Sequence, residues 1–109
     1  MDIAGWRKKI DELDRKMVEL LNERARAAKE IGKLKRTTDM PIYEPEREKR
    51  IFENVRQVNQ GPLTDLDLTQ VFERIIDIMR NLQKKEIVPP EREKQAAAGG
   101  TEFDSDVNE

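Results

Sequence analysis

Apolar residues recur near the start of the chain at Ile3, Trp6, Ile10, Leu13, Met17, Leu20, Leu21, Ala27, Ala28, Ile31 and Leu34. Steps of three and four put them on one stripe of a helix, uninterrupted by proline from residue 3 to 37. Such a helix is roughly 50 Å long at about 1.5 Å per residue. A chain this small cannot cover a rod of that length with one compact core, so the rod is expected to pack against a second copy of itself. Asp2 is placed to cap its first turn, and Pro41 disfavours helix just before it, which puts the end near residues 37–39. Pro45 suits the first position of a second helix, with Ile51, Phe52, Val55 and Val58 as its inward face and Gly61-Pro62 as its stop. Thr64 or Asp65 can cap a third, which carries Leu68, Val71, Phe72, Ile75, Ile76, Met79 and Leu82 and fades by Ile87, ahead of Pro89 and Pro90. Nothing reads as strand. The expected fold is all-α, a three-helix protomer with a very long first helix in an intertwined helical homodimer. Residues 1–88 form its one domain. Residues 89–109 turn polar, then small, then acidic, and are expected to be a disordered tail.

Each packing face has polar interruptions. Arg24 sits where the seam through Met17, Leu20 and Leu21 should continue to Ala27 and Ala28. Lys35 follows eleven residues later on the same face, within about 20° at ~100° per residue. Glu48 precedes Ile51 by three and Val55 by seven, with Arg47 beside it, and Gln83 follows Met79 by four. Two readings fit. Each cation can snorkel, its stem covering core while its head reaches water, and Glu48 can serve as an ordinary ion-pair partner. Alternatively, the three helices enclose a cavity offering two cations, a carboxylate and a neutral amide. Unpaired buried charge is costly, so that set implies a polar ligand, an anion carrying a hydroxyl. Arg7 lies seventeen residues before Arg24, about 25 Å along the rod and turned roughly 100° away. One small ligand cannot touch both from the same helix. It is either an exposed arginine of a charged first turn or, in an antiparallel pair, a group that reaches the other copy's Arg24 and Lys35.

Composition narrows the chemistry. Of 109 residues, 40% are charged and 36% hydrophobic, which suits amphipathic helices with charged outer faces. A net charge of −2 with interspersed signs argues against nucleic acid as partner. No apolar run is long enough to span a membrane and no secretory leader is evident, so a cytoplasmic home is the expectation. Cysteine and histidine are both absent, which removes thiolate chemistry, the commonest metal ligand and the commonest general base. No metal and no cofactor is expected.

The segments Arg7-Lys8-Lys9-Ile10-Asp11-Glu12-Leu13-Asp14, Leu20-Leu21-Asn22-Glu23-Arg24, Ile31-Gly32-Lys33-Leu34-Lys35, Pro41-Ile42-Tyr43-Glu44-Pro45-Glu46-Arg47-Glu48 and Phe72-Glu73-Arg74-Ile75-Ile76 with Gln83 resemble, in that order, the all-helical chorismate mutases of the AroQ class. The resemblance covers residues 3–85. It implies an intertwined homodimer with two active sites and the conversion of chorismate to prephenate, on the branch toward phenylalanine and tyrosine. By position, Arg7 resembles the arginine supplied across the dimer to a substrate carboxylate, and Arg24 the same-chain carboxylate ligand. Lys35 and Gln83 resemble the catalytic pair that hydrogen-bonds the ether oxygen. Glu48 resembles the acceptor of the ring hydroxyl, Glu44 a residue whose backbone helps bind that hydroxyl, and Arg47 an arginine that orients the carboxylate end. Met79 departs from the small polar residue some members carry. Three other readings stand beside this one: an isochorismate pyruvate lyase of the same fold, a non-catalytic helical dimerisation or regulatory module, and a plain antiparallel coiled-coil adaptor. A complex with another shikimate-pathway enzyme is a further partner expectation.

Overall fold

The computed structural model describes residues 1–87, and the expected tail at 89–109 lies outside them. Three helices follow in order: α1 (Ile3–Thr38), α2 (Pro45–Val58) and α3 (Asp65–Ile87). No strand occurs among the described residues. The Asp2 carboxylate accepts a 2.8 Å bond from the Gly5 amide, satisfying one of the first orphan N–H groups of α1. At the other end, Asp39 turns into the left-handed region at φ 57°, which Asp tolerates better than most residues, and ends the helix. Pro45 opens α2. Thr64, and not Asp65, caps α3. Its hydroxyl accepts from the Asp67 amide at 3.0 Å, and the Asp67 carboxylate reaches back to the Thr64 amide at 3.4 Å.

The Asp65 carboxylate instead takes a 2.8 Å bond from Asn59, whose amide also donates to the Leu63 carbonyl at 2.9 Å. Asn59 therefore organises the α2–α3 connection. This turn leaves Val58 77% exposed, which corrects its expected place on the inward face of α2. Ile51, Phe52 and Val55 are partly covered.

α3 packs against both other helices, and the core is small: Ala28, Ile76 and Met79 are its buried apolar side chains among the described residues. Gly32 sits where α1 meets α3. A Cβ there would stand 2.9 Å from the Gln83 Cα and 3.2 Å from the Gln83 carbonyl oxygen. The missing side chain lets the backbones approach and holds Gln83 over Lys35. Gly32→Ala gains roughly 1 kcal/mol of helix propensity but forces a backbone contact apart, which costs about 1–3 kcal/mol. Urea denaturation is expected to show a net loss of stability. An unchanged midpoint would mean that α3 can shift freely.

The first half of α1 is uncovered. Ile3, Trp6, Ile10, Leu13, Met17 and Leu20 are each between 44% and 70% exposed. No helix among the described residues is long and apolar enough to cross a membrane.

Candidate active site

Where α1, α2 and α3 converge they leave a cavity of about 330 Å³, partly open to solvent. α1 contributes Arg24 and Lys35, the α1–α2 link Glu44, α2 Arg47 and Glu48, and α3 Arg80 and Gln83. Ala28, Ile76 and Met79 form part of its apolar wall. The polar breaks in the three stripes therefore meet in one place. Arg7 does not line it and lies exposed on the first turns of α1.

Lys35 is the most enclosed of the charged groups, only 7% exposed, so it does not snorkel. Its ammonium donates to the Gln83 Oε1 at 2.9 Å and to the Ile42 carbonyl at 3.1 Å, and it pairs with the Glu44 carboxylate at 3.0 Å. Three acceptors match the three protons of an ammonium. The bond to Ile42 ties the link down and thereby places Glu44. Because Gln83 accepts through Oε1, its NH₂ group remains a donor. Glu48 is gripped by Arg80. The guanidinium reaches its two oxygens at 2.8, 2.8 and 3.1 Å and lies 5.3 Å over the Tyr43 ring.

Arg24 and Arg47 are different. Among the described residues neither has a carboxylate within 4.0 Å. Burial, and then the charge of Arg47, pushes the Arg24 guanidinium below its ordinary pKa. The direction records a cation that is desolvated and repelled, with no anion nearby to compensate. Lys35–Glu44 and Arg80–Glu48 close as pairs, so the lining carries a surplus of two positive charges. A ligand with two negative charges complements it. Among the described residues no group of three Asp, Glu, His or Cys side chains is arranged to hold a metal ion.

Arg80 follows Ile76 by four and so shares the inner side of α3, but its sequence position alone does not distinguish it from the other cations of that helix. The Ile42 carbonyl carries no side-chain signal. Met79 is buried and lines the cavity, so the wall is apolar there.

The model of the chorismate mutase type II family matches residues 6–84. A bifunctional chorismate mutase/prephenate dehydratase of Aquifex aeolicus is 40% identical over 88 residues, covering 77% of this chain and 24% of that protein. This chain thus spans about a quarter of that bifunctional relative. Chorismate mutase of Methanocaldococcus jannaschii is 36% identical over 84 residues, 76% of this chain and 85% of that one. The fold also superposes on the crystal structure of chorismate mutase from Helicobacter pylori in complex with prephenate. There the TM-score is 0.71 and the identity 29%, over 78% of this chain and 92% of that one.

Proposed function

The chain belongs to the type II chorismate mutase family, and from that premise we propose that its cavity converts chorismate to prephenate by an intramolecular rearrangement. One observation carries the reading: two guanidiniums without anionic partners, Arg24 and Arg47, share a cavity with the buried Lys35 and the Gln83 amide it bonds. Chorismate brings two carboxylates and a ring hydroxyl, which answer the surplus charge and Glu48. That the Helicobacter pylori relative is in complex with prephenate supports the same class of ligand.

The reaction needs no nucleophile, no proton transfer and no cofactor, which suits a chain without histidine or cysteine. Arg24, with Arg47 orienting that end, holds one carboxylate and Arg7 of a second copy the other, where a planar fork binds better than a point charge. That restraint keeps the enolpyruvyl arm over the ring. As the C–O bond breaks ahead of C–C closure, negative charge grows on the ether oxygen. The Gln83 NH₂ and the Lys35 ammonium stabilise it more in the transition state than in the ground state. Lys35 must first release an acceptor. Glu44, whose side chain is 29% exposed against 6% for Lys35, is the partner that yields. Glu48 accepts from the ring hydroxyl.

The uncovered stripe from Ile3 to Leu20 is proposed as the seat of a second copy, packed antiparallel, whose Arg7 completes the site. Sedimentation should give twice the monomer mass. The reaction is tested by supplying chorismate and isochorismate to the purified chain in separate assays. Prephenate from chorismate supports the reading. Pyruvate release from isochorismate alone would assign the site to a lyase.

A further inference from the structure

We propose that Arg80 is a positioning residue that fixes the carboxylate of Glu48 for a ligand hydroxyl. The inference rests on the reaction proposed above. Arg80 grips Glu48 through three bonds, Nη2 to both oxygens at 2.8 Å and Nε to Oε2 at 3.1 Å. The guanidinium is itself held, by the Asp77 carboxylate at 3.2 Å and by the face of Tyr43. Tyr43 in the link, Glu48 on α2, and Asp77 and Arg80 on α3 thus form one cluster, with few ways for the Glu48 side chain to turn.

Acceptor capacity points the same way. Oε2 of Glu48 receives two of the three bonds and Oε1 one, so Oε1 keeps a lone pair for a hydroxyl. The pair also lies where the cavity borders an open surface hollow lined by Glu48, Phe52, Glu73, Ile76, Asp77 and Arg80. Without the guanidinium, Glu48 would face both spaces and could swing away from the ligand. The bonds to Glu48 push the Arg80 pKa up, against the opposing effect of burial.

A purely structural role is the alternative. Both side chains keep partial solvent access, 25% for Arg80 and 20% for Glu48. An ion pair at that exposure adds little to stability, so its effect is expected in catalysis and not in melting.

The test is a double-mutant cycle on kcat/KM with chorismate. Arg80→Gln is expected to lower it about 10-fold or more, the loss of a charge-assisted hydrogen-bond pair. Once Glu48→Gln has been introduced, adding Arg80→Gln should change kcat/KM by less than about twofold, because there is no carboxylate left to position. Arg80→Lys keeps the charge without the fork and should fall between wild type and Arg80→Gln. If Arg80→Gln does not fold by circular dichroism, the same cycle run with Arg80→Lys reads the coupling. Losses that multiply would overturn the inference while leaving the reaction intact. A folded wild-type chain that does not turn over chorismate would overturn both.

Discussion

Lys35→Ala is expected to lower kcat by about 10³-fold while weakening substrate binding far less. Removing one donor aimed at a developing oxyanion costs about 10²–10³ in turnover. Lys35 does more than donate. It fixes the Gln83 amide at 2.9 Å, and it anchors the link through the Ile42 carbonyl at 3.1 Å. Its loss therefore removes one donor, releases the second, and loosens Glu44. In the proposed binding mode the substrate's carboxylates are held by arginines and not by Lys35, so KM should change little. Steady-state kinetics separate the two effects. A variant with unchanged kcat and only a raised KM would show that Lys35 binds ground and transition states equally.

Arg24→Ala should be comparably damaging but through a different parameter. Arg24 is partly buried on α1, and its lowered pKa marks a guanidinium that lacks an anion in the free protein. In the proposed binding mode a substrate carboxylate relieves that penalty. Truncating one member of such a desolvated charge pair costs about 2–5 kcal/mol, or roughly 30- to 5,000-fold in kcat/KM. Because the pair would form in both ground and transition states, much of the loss should appear in KM. Arg24→Lys keeps the charge and loses the fork, and should recover only part of it. Circular dichroism is expected to show both variants as helical as the parent, since Arg24 makes no ion pair among the described residues that the fold could miss.

Much of this was legible in the residues alone, for a physical reason. A helix has one period, so a charged group on an apolar stripe is visible as an exception. Arg24, Lys35, Glu48 and Gln83 are such exceptions, and the structure brings all four to one cavity. Caps are local as well, which is why Asp2 and Pro45 stand where their chemistry places them. What stayed hidden depends on distances between elements. Arg80 reads as one more cation in a chain that is 40% charged, and only the approach of α2 to α3 makes it the partner of Glu48. Gly32 carried a signal, four residues after Ala28 on the buried side of α1, but small residues do not say which backbone comes near. Val58 fits the period of α2, yet the Asn59 turn ends the helix before α3 can cover it. The snorkelling alternative for Lys35 fails because Glu44, Ile42 and Gln83 surround its head.

In the proposed dimer each site takes Arg24 from one copy and Arg7 from the other. Arg7→Ala and Arg24→Ala, each nearly inactive alone, test it when the two proteins are unfolded together, refolded as a mixture and assayed for chorismate loss. Mixed dimers would contain one site with both arginines and one with neither, so activity is expected to return to about a quarter of wild type at equal mixing, since half the dimers are mixed and half their sites intact. Activity no higher than the average of the two separate variants would contradict it.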